Sequence, residues 1–323
     1  MRGIGSGWLA TATGLPIVTD SSSPVQQPAG DRVLTGLALR ALSVLLFTAL
    51  AAMVKVAGQR HANLYEILFF RQTFALPLIL AWIAVGPGLR SVATKRIGAH
   101  VSRATIGLGG MVTSFAAVQL LPLAEATTLQ FTVPIFATIT AALLLREPTG
   151  WHRWGAVLVG FAGVLIIAQP GSDHFPLLGA ALGLSSALLV AVVMILLRTI
   201  GRTESASTTV FWFSALSVAP LGILYLLHFG THDPLTWALL VAIGLIGGAG
   251  QLAMTASFRF APVSAVVSMD YTALIWGTLF GWLLFAVLPM STTWLGAAII
   301  IASGLYIAQR EHRMRDVGLA ANE

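Results

Sequence analysis

The chain has 323 residues, of which 57% are apolar and only 9% charged. A soluble domain carries about 25% charged residues, so a water-soluble globule of this size is excluded, and the hydrophobicity excludes a disordered chain. There is no cysteine, which removes disulfide scaffolds, thiolate catalysis and cysteine metal sites and leaves a polytopic membrane protein.

In chain order, residues 1–33 are rich in Gly, Ser, Thr and Pro and lack a sustained period. They read as a disordered tail, because the apolar run after Arg2 is broken by Thr11, Thr13 and Gly14, which is poor signal-peptide material. Apolar spans follow near 37–57, 64–86, 104–121, 123–145, 152–169, 177–198, 207–228, 236–257, 262–286 and 292–309. Ten spans of about 20 residues use most of the chain and leave short loops. The third and fourth abut through Leu121-Pro122, the fifth stops at Gln169-Pro170-Gly171, and Ala261-Pro262 opens the ninth. Proline is tolerated at a helix start because its missing N–H would be unpaired there anyway. Residues 311–323 form a short tail.

The net charge of +6 comes from basic residues placed in loops, not from a patch for nucleic acid. With the N-terminus cytoplasmic, fifteen Lys and Arg fall on the inner side, among them Arg40, Arg90, Lys95, Arg96, Arg103, Arg198 and Arg202. Only Lys55 and Arg60 fall on the outer side, and Arg71 lies within the second span. That bias places both termini in the cytoplasm and agrees with an even number of spans.

The halves match at an offset of 140 to 143 residues. Gly36, Ser43 and Pro77 meet Gly179, Ser186 and Pro220; Gly107, Gly110 and Pro122 meet Gly247, Gly250 and Pro262; Gly155 and Gly163 meet Gly296 and Gly304. This divides the chain into repeats over 34–171 and 172–310. Five spans per repeat is odd, so the copies insert upside down relative to each other, as in many secondary transporters with a midplane site. The fold class expected is an all-α bundle of ten transmembrane helices in two inverted repeats.

The stretches Glu66-Ile-Leu-Phe-Phe-Arg71, Leu121-Pro-Leu-Ala-Glu-Ala-Thr-Thr128, Arg146-Glu147, Trp154-Gly155 and Gly163-Val-Leu-Ile166 resemble the drug/metabolite transporter superfamily, EamA family. Asp270-Tyr271-Thr272, Gly281-Trp282 and Ser303-Gly304-Leu305-Tyr306 look most like its branch labelled S-adenosylmethionine uptake transporters. The resemblance implies a central cavity lined by spans 1, 3, 4, 6, 8 and 9. It also implies a Glu after the ninth span to match Glu147, where this chain has Leu288.

Charge inside a membrane is costly and marks function. Asp270 lies eight residues after Pro262, about 12 Å into the span at about 1.5 Å per residue. Gln130 is its repeat mate, and Phe131 is the mate of Tyr271. Substrate contact is therefore expected at Asp270, Tyr271, Gln130, Phe131, Trp276, Gln251 and Thr128. Asp270 would hold a cationic group or exchange a proton, and the aromatic faces would hold a cation or planar ring. The structural alternative is an Asp270–Arg71 ion pair. Glu66 and Glu125, near outer helix ends, are candidates for gating or for ordinary first-turn carboxylates. Ser43, Ser114, Gln119, Ser186 and Thr255 add hydrogen-bonding groups. Gly244-xxx-Gly248 and Gly277-xxx-Gly281 suggest close contact between spans 8 and 9.

His228 and His232 are spaced i, i+4 and followed by Asp233, but they flank Phe229-Gly230 at a helix end and no HExxH is present, so no metal is expected. P-loop and hydrolase motifs are absent. The expected function is secondary transport of an S-adenosylmethionine-like or amino-acid-like metabolite across the inner membrane. Export of amino acids or drugs is the alternative within the family, and a lipid-modifying membrane enzyme the alternative outside it. The expected partners are a small solute and the bilayer, with no cofactor and no nucleic acid; a homodimer is left open.

Overall fold

A computed structural model describes residues 30–144, 150–169, 176–261, 266 and 268–320, with the side chains of 30, 31 and 311–320 left aside. Arg146, Glu147 and the prolines 148, 170 and 262 lie outside the described residues, as does the N-terminal tail. The helices are α1 Gly30–Gln59, α2 Leu64–Val85, α3 Ile97–Leu120, α4 Leu123–Gln130, α5 Val133–Leu144, α6 Trp151–Ala168, α7 Leu177–Ile200, α8 Ala206–Leu227, α9 Pro234–Phe260, α10 Ala273–Phe285 and α11 Ser291–Ala320. No strand occurs among the described residues.

Nine described segments are long and apolar enough to cross a bilayer, with α4 and α5 together forming one of them. The tenth span is α10 with the 3-10 turn Met269–Thr272 before it. Large apolar side chains such as Leu158, Leu178, Ile223, Leu226, Ile275 and Leu295 are exposed along the outside of the bundle. In water that surface would be an aggregation hazard; in lipid it is the solvated face. Buried polar groups such as Ser43, Glu66, Thr128 and Ser186 sit on the inside. The face carrying loops 60–63 and 228–233 is called outer below, following the charge bias, and the opposite one inner.

The inverted repeat is written into the hydrogen bonds. Ser43 Oγ on α1 donates to the Gly250 carbonyl on α9 at 2.9 Å. Its repeat mate Ser186 on α7 donates to the carbonyl of Gly110, the mate of Gly250, on α3 at 3.0 Å. Each repeat thus gives a serine to the other's glycine, and the largest interfaces, α1 on α9 and α3 on α7, follow that exchange. The mates α2 and α8 pack on each other, as do α6 and α11. At the second pair the chains touch through glycine: a Cβ on Gly296 would stand 2.6 Å from the Gly163 carbonyl, and one on Gly163 would stand 2.9 Å from the Gly296 carbonyl.

The two GxxxG stretches pack differently from expectation. A Cβ on Gly244 would strike Phe74 and the Phe70 carbonyl, and one on Gly248 would press on Ala75, so that face of α9 lies against α2. Gly277 faces Thr127 and Ala124 of α4. The spacing defines a smooth helix face but does not name its partner.

Candidate functional site

Both the fourth and the ninth spans are broken, and at repeat-mate positions. The fourth turns at Phe131-Thr132 between α4 and α5. Pro134 lacks the N–H that would bond the Gln130 carbonyl, which is the local cause. The ninth passes through the 3-10 turn that holds Asp270 and Tyr271. Discontinuous helices within a membrane occur where backbone lines protein or a wet pathway, and in inverted-repeat transporters they build the solute site.

Asp270 is paired, but with Arg40 of α1, not Arg71. Arg40 Nε and Nη2 reach the two carboxylate oxygens at 2.5 and 2.7 Å. This two-pronged contact is the strong form of a guanidinium–carboxylate bond, and it joins the first repeat to the second. The Asp270 side chain is 35% exposed and that of Arg40 only 12%, so the pair opens to space on the aspartate side. Arg40 also stacks at 5.5 Å from the Phe258 ring, and its Nη1 is buried without a partner. Arg40 was counted with the inner-side charges because it lies near the start of its span. In the structure α1 begins at Gly30, before the span start at 37, so Arg40 sits deeper in its helix than the sequence placed it.

The aromatic mates Phe131 and Tyr271 meet edge to face at 5.3 Å. Gln130 Nε2 donates to Ser186 Oγ at 3.3 Å, so the mate of Asp270 joins the serine–glycine exchange. Trp276 is half-buried on the first turn of α10, and Gln251 is half-buried on α9. Thr128 is fully buried and donates to the Ala124 carbonyl at 2.7 Å, which leaves its hydroxyl turned into its own helix.

Arg71 is buried, with Nη1 donating to Gln72 Oε1 at 2.6 Å; no carboxylate among the described residues pairs with it. Its stem and Nε lie against Gly247. Arg103 on α3 stacks 3.8 Å over the Phe213 ring and lies against Gly107, the mate of Gly247. Arg103 had been read only as an orientation charge, since nothing in its spacing separates it from the loop residues before it.

The outer end is tied together. Asn63 caps α2 through the Glu66 N–H, and Glu66 Oε2 accepts from the Asn63 N–H at 2.9 Å, a reciprocal capping box. The Glu66 carboxylate also accepts the Gly230 N–H at 3.0 Å and lies 2.9 Å from His232 Nε2. One fully buried glutamate thereby ties the α1–α2 corner to the α8–α9 loop. Glu125 Oε1 accepts from Thr293 at 3.0 Å while its Oε2 is buried without a partner. Lys55 Nζ donates to the Val118 and Leu121 carbonyls at 3.1 and 2.6 Å, capping α3 with positive charge. At the inner end the topologically equivalent loops meet: Thr94 donates to Glu204 at 2.8 Å, and Trp212 Nε1 to the Val92 carbonyl at 2.9 Å. No metal-holding group of three donor residues occurs among the described residues.

The model of the EamA-like transporter family matches residues 34–169 and 177–309. The chain belongs to that family. It resembles a riboflavin transporter of Vibrio cholerae at 30% identity, over 76% of this chain and 83% of the relative. It resembles the pseudopaline exporter CntI of Pseudomonas aeruginosa at 27%, over 86% and 98%. It also resembles an S-adenosylmethionine uptake transporter of Rickettsia felis at 26%, over 87% and 94%. A solved crystal structure shares the fold with a TM-score of 0.60 at 19% identity, covering 87% of this chain and 98% of the other. This EamA-family protein is a multi-pass membrane transporter of small metabolites. Relatives of comparable identity carry three different solute names, so family membership does not choose among them.

Proposed function

We propose that the protein is a secondary transporter of the bacterial inner membrane with both termini in the cytoplasm. It carries an S-adenosylmethionine-like or amino-acid-like metabolite by alternating exposure of a midplane site. The observation that supports this most is the Arg40–Asp270 pair: it bridges the two repeats, sits at a helix break, and leaves the carboxylate a third exposed. An ion pair of that kind is a switch, because a cationic group of the solute, or a proton, competes with Arg40 for the carboxylate. When the pair parts, α1 is released from the ninth span, and the broken helices give that motion a hinge. Phe131 and Tyr271 then supply ring edges and faces beside the exposed carboxylate, and Gln130 supplies an amide. Glu66 and Glu125 serve as fixed anchors of the outer end.

The test is reconstitution into liposomes with labelled S-adenosylmethionine and labelled methionine as probes. The wild type is expected to move at least one of them, and Asp270→Asn is expected to fall to the level of empty liposomes while inserting and eluting as the wild type does. Unchanged transport in that variant would remove Asp270 from the site.

A further inference from the structure

The bundle contains a second charged region, and there the charges are unmatched. Arg71 Nε, Gln72 Nε2, and Arg103 Nε and Nη1 are all buried and make no hydrogen bond among the described residues. Every one of them is a donor. Arg71 and Gln72 are joined by their own hydrogen bond, and α3, which carries Arg103, packs on α2, which carries Arg71 and Gln72. The three side chains come from α2 and α3, under α8 and α9.

Depth sharpens the picture. Arg71 rests on Gly247, the middle residue of α9, and Arg103 rests on Gly107, within two residues of the middle of α3. The two glycines are repeat mates, so the bundle makes room for a guanidinium near the midplane from each side. A Cβ on Gly107 would stand 3.0 Å from Arg103 Nη1, so the missing side chain is what seats that arginine. Burying a cation without a partner is costly, and here the cost is met twice. A fold keeps such an arrangement when something else supplies the negative charge.

We propose that Arg71 and Arg103, with Gln72, bind the carboxylate of the transported metabolite near the bilayer midplane. The fork of a guanidinium matches a planar carboxylate, and Phe213 fixes the plane of Arg103 by stacking on its face, which leaves the N–H edge free. This rests on the transport reading above and deepens it: the solute is one that carries a carboxylate, with Asp270 available for a cationic group elsewhere on the same molecule.

The test uses the purified full chain, melted in chloride, glutamate or phosphate at equal ionic strength. Glutamate is expected to raise the wild-type melting temperature by several degrees over chloride. Arg71→Gln and Arg103→Gln are each expected to lose that rise, and to melt at or above the wild type in chloride because an unpaired buried charge is gone. Arg103→Lys, which keeps the charge without the fork, is expected to retain only part of the rise. A wild type indifferent to glutamate, or a rise kept in both glutamine variants, overturns the site. A rise with phosphate alone overturns the carboxylate assignment. Liposome transport is scored separately. Transport without any glutamate effect overturns this inference alone, whereas absence of transport overturns the proposed function.

Discussion

At the outer end of α2, Glu66 is fully buried and accepts hydrogen bonds from the Asn63 and Gly230 N–H groups and His232. In the ninth span, Asp270 has Arg40 as its ion-pair partner and is a third exposed. Both are carboxylates in apolar sequence, and both join the first repeat to the second. Glu66 is saturated by groups fixed in loops and caps, so nothing short of unfolding that corner frees it. Asp270 is held by one long side chain and is a third exposed, the arrangement in which, on the proposed function, a solute exchanges with its partner. On the proposed function, the number and rigidity of the partners separate a structural charge from a working one better than depth in the membrane does.

The contrast is broken most severely by Asp270→Asn, which is expected to remove transport while leaving the melting temperature near that of the wild type, provided Arg40→Gln accompanies it. The double change avoids a stranded guanidinium, so transport loss in a normally stable protein isolates the functional role. Glu66→Ala is expected to do the reverse. Removing a buried, multiply bonded carboxylate costs about 3 kcal/mol, read as a drop in melting temperature in detergent. The transport rate per folded molecule should change little. A Glu66→Ala protein that melts normally but no longer transports would collapse the distinction.

The smallest effect is expected at Asp233, which caps α9 and pairs with Arg60 at 2.9 Å. The hydroxyl of Thr236, and then Arg60, hold its carboxyl down at about 2. Because the folded value is depressed, its stabilisation is present above the ordinary value near 4 and is lost as pH falls toward 2. Asp233→Asn, still a good cap, should flatten that acid limb of the melting temperature and shift it only slightly at pH 7.

Much of this was legible in the sequence, for identifiable reasons. Hydropathy located the spans, because a bilayer demands continuous apolar runs. Glycines and prolines kept the repeat register, since they mark close contacts and helix ends that both copies need. That register led to the Gln130–Asp270 and Phe131–Tyr271 mates, and the two rings do meet. Partners were not legible. The Asp270–Arg40 pair crosses 230 positions of sequence, and a charge near a span end looks the same whether it faces water or a carboxylate. The GxxxG faces were visible but their neighbours were not. Pro134 could have announced the break in the fourth span, which reads as continuous in the sequence, whereas the break around Asp270 has no such marker among the described residues.

The most direct test of a wet, alternately exposed pathway at Asp270 exploits the absence of native cysteine. Thr272→Cys, half-buried in the same 3-10 turn, is treated with a membrane-impermeant maleimide in right-side-out and in inside-out vesicles. The expected result is labelling from both sides, each slowed when the solute is present at saturating concentration. Labelling from neither side, or from one side only whatever the solute, would contradict it.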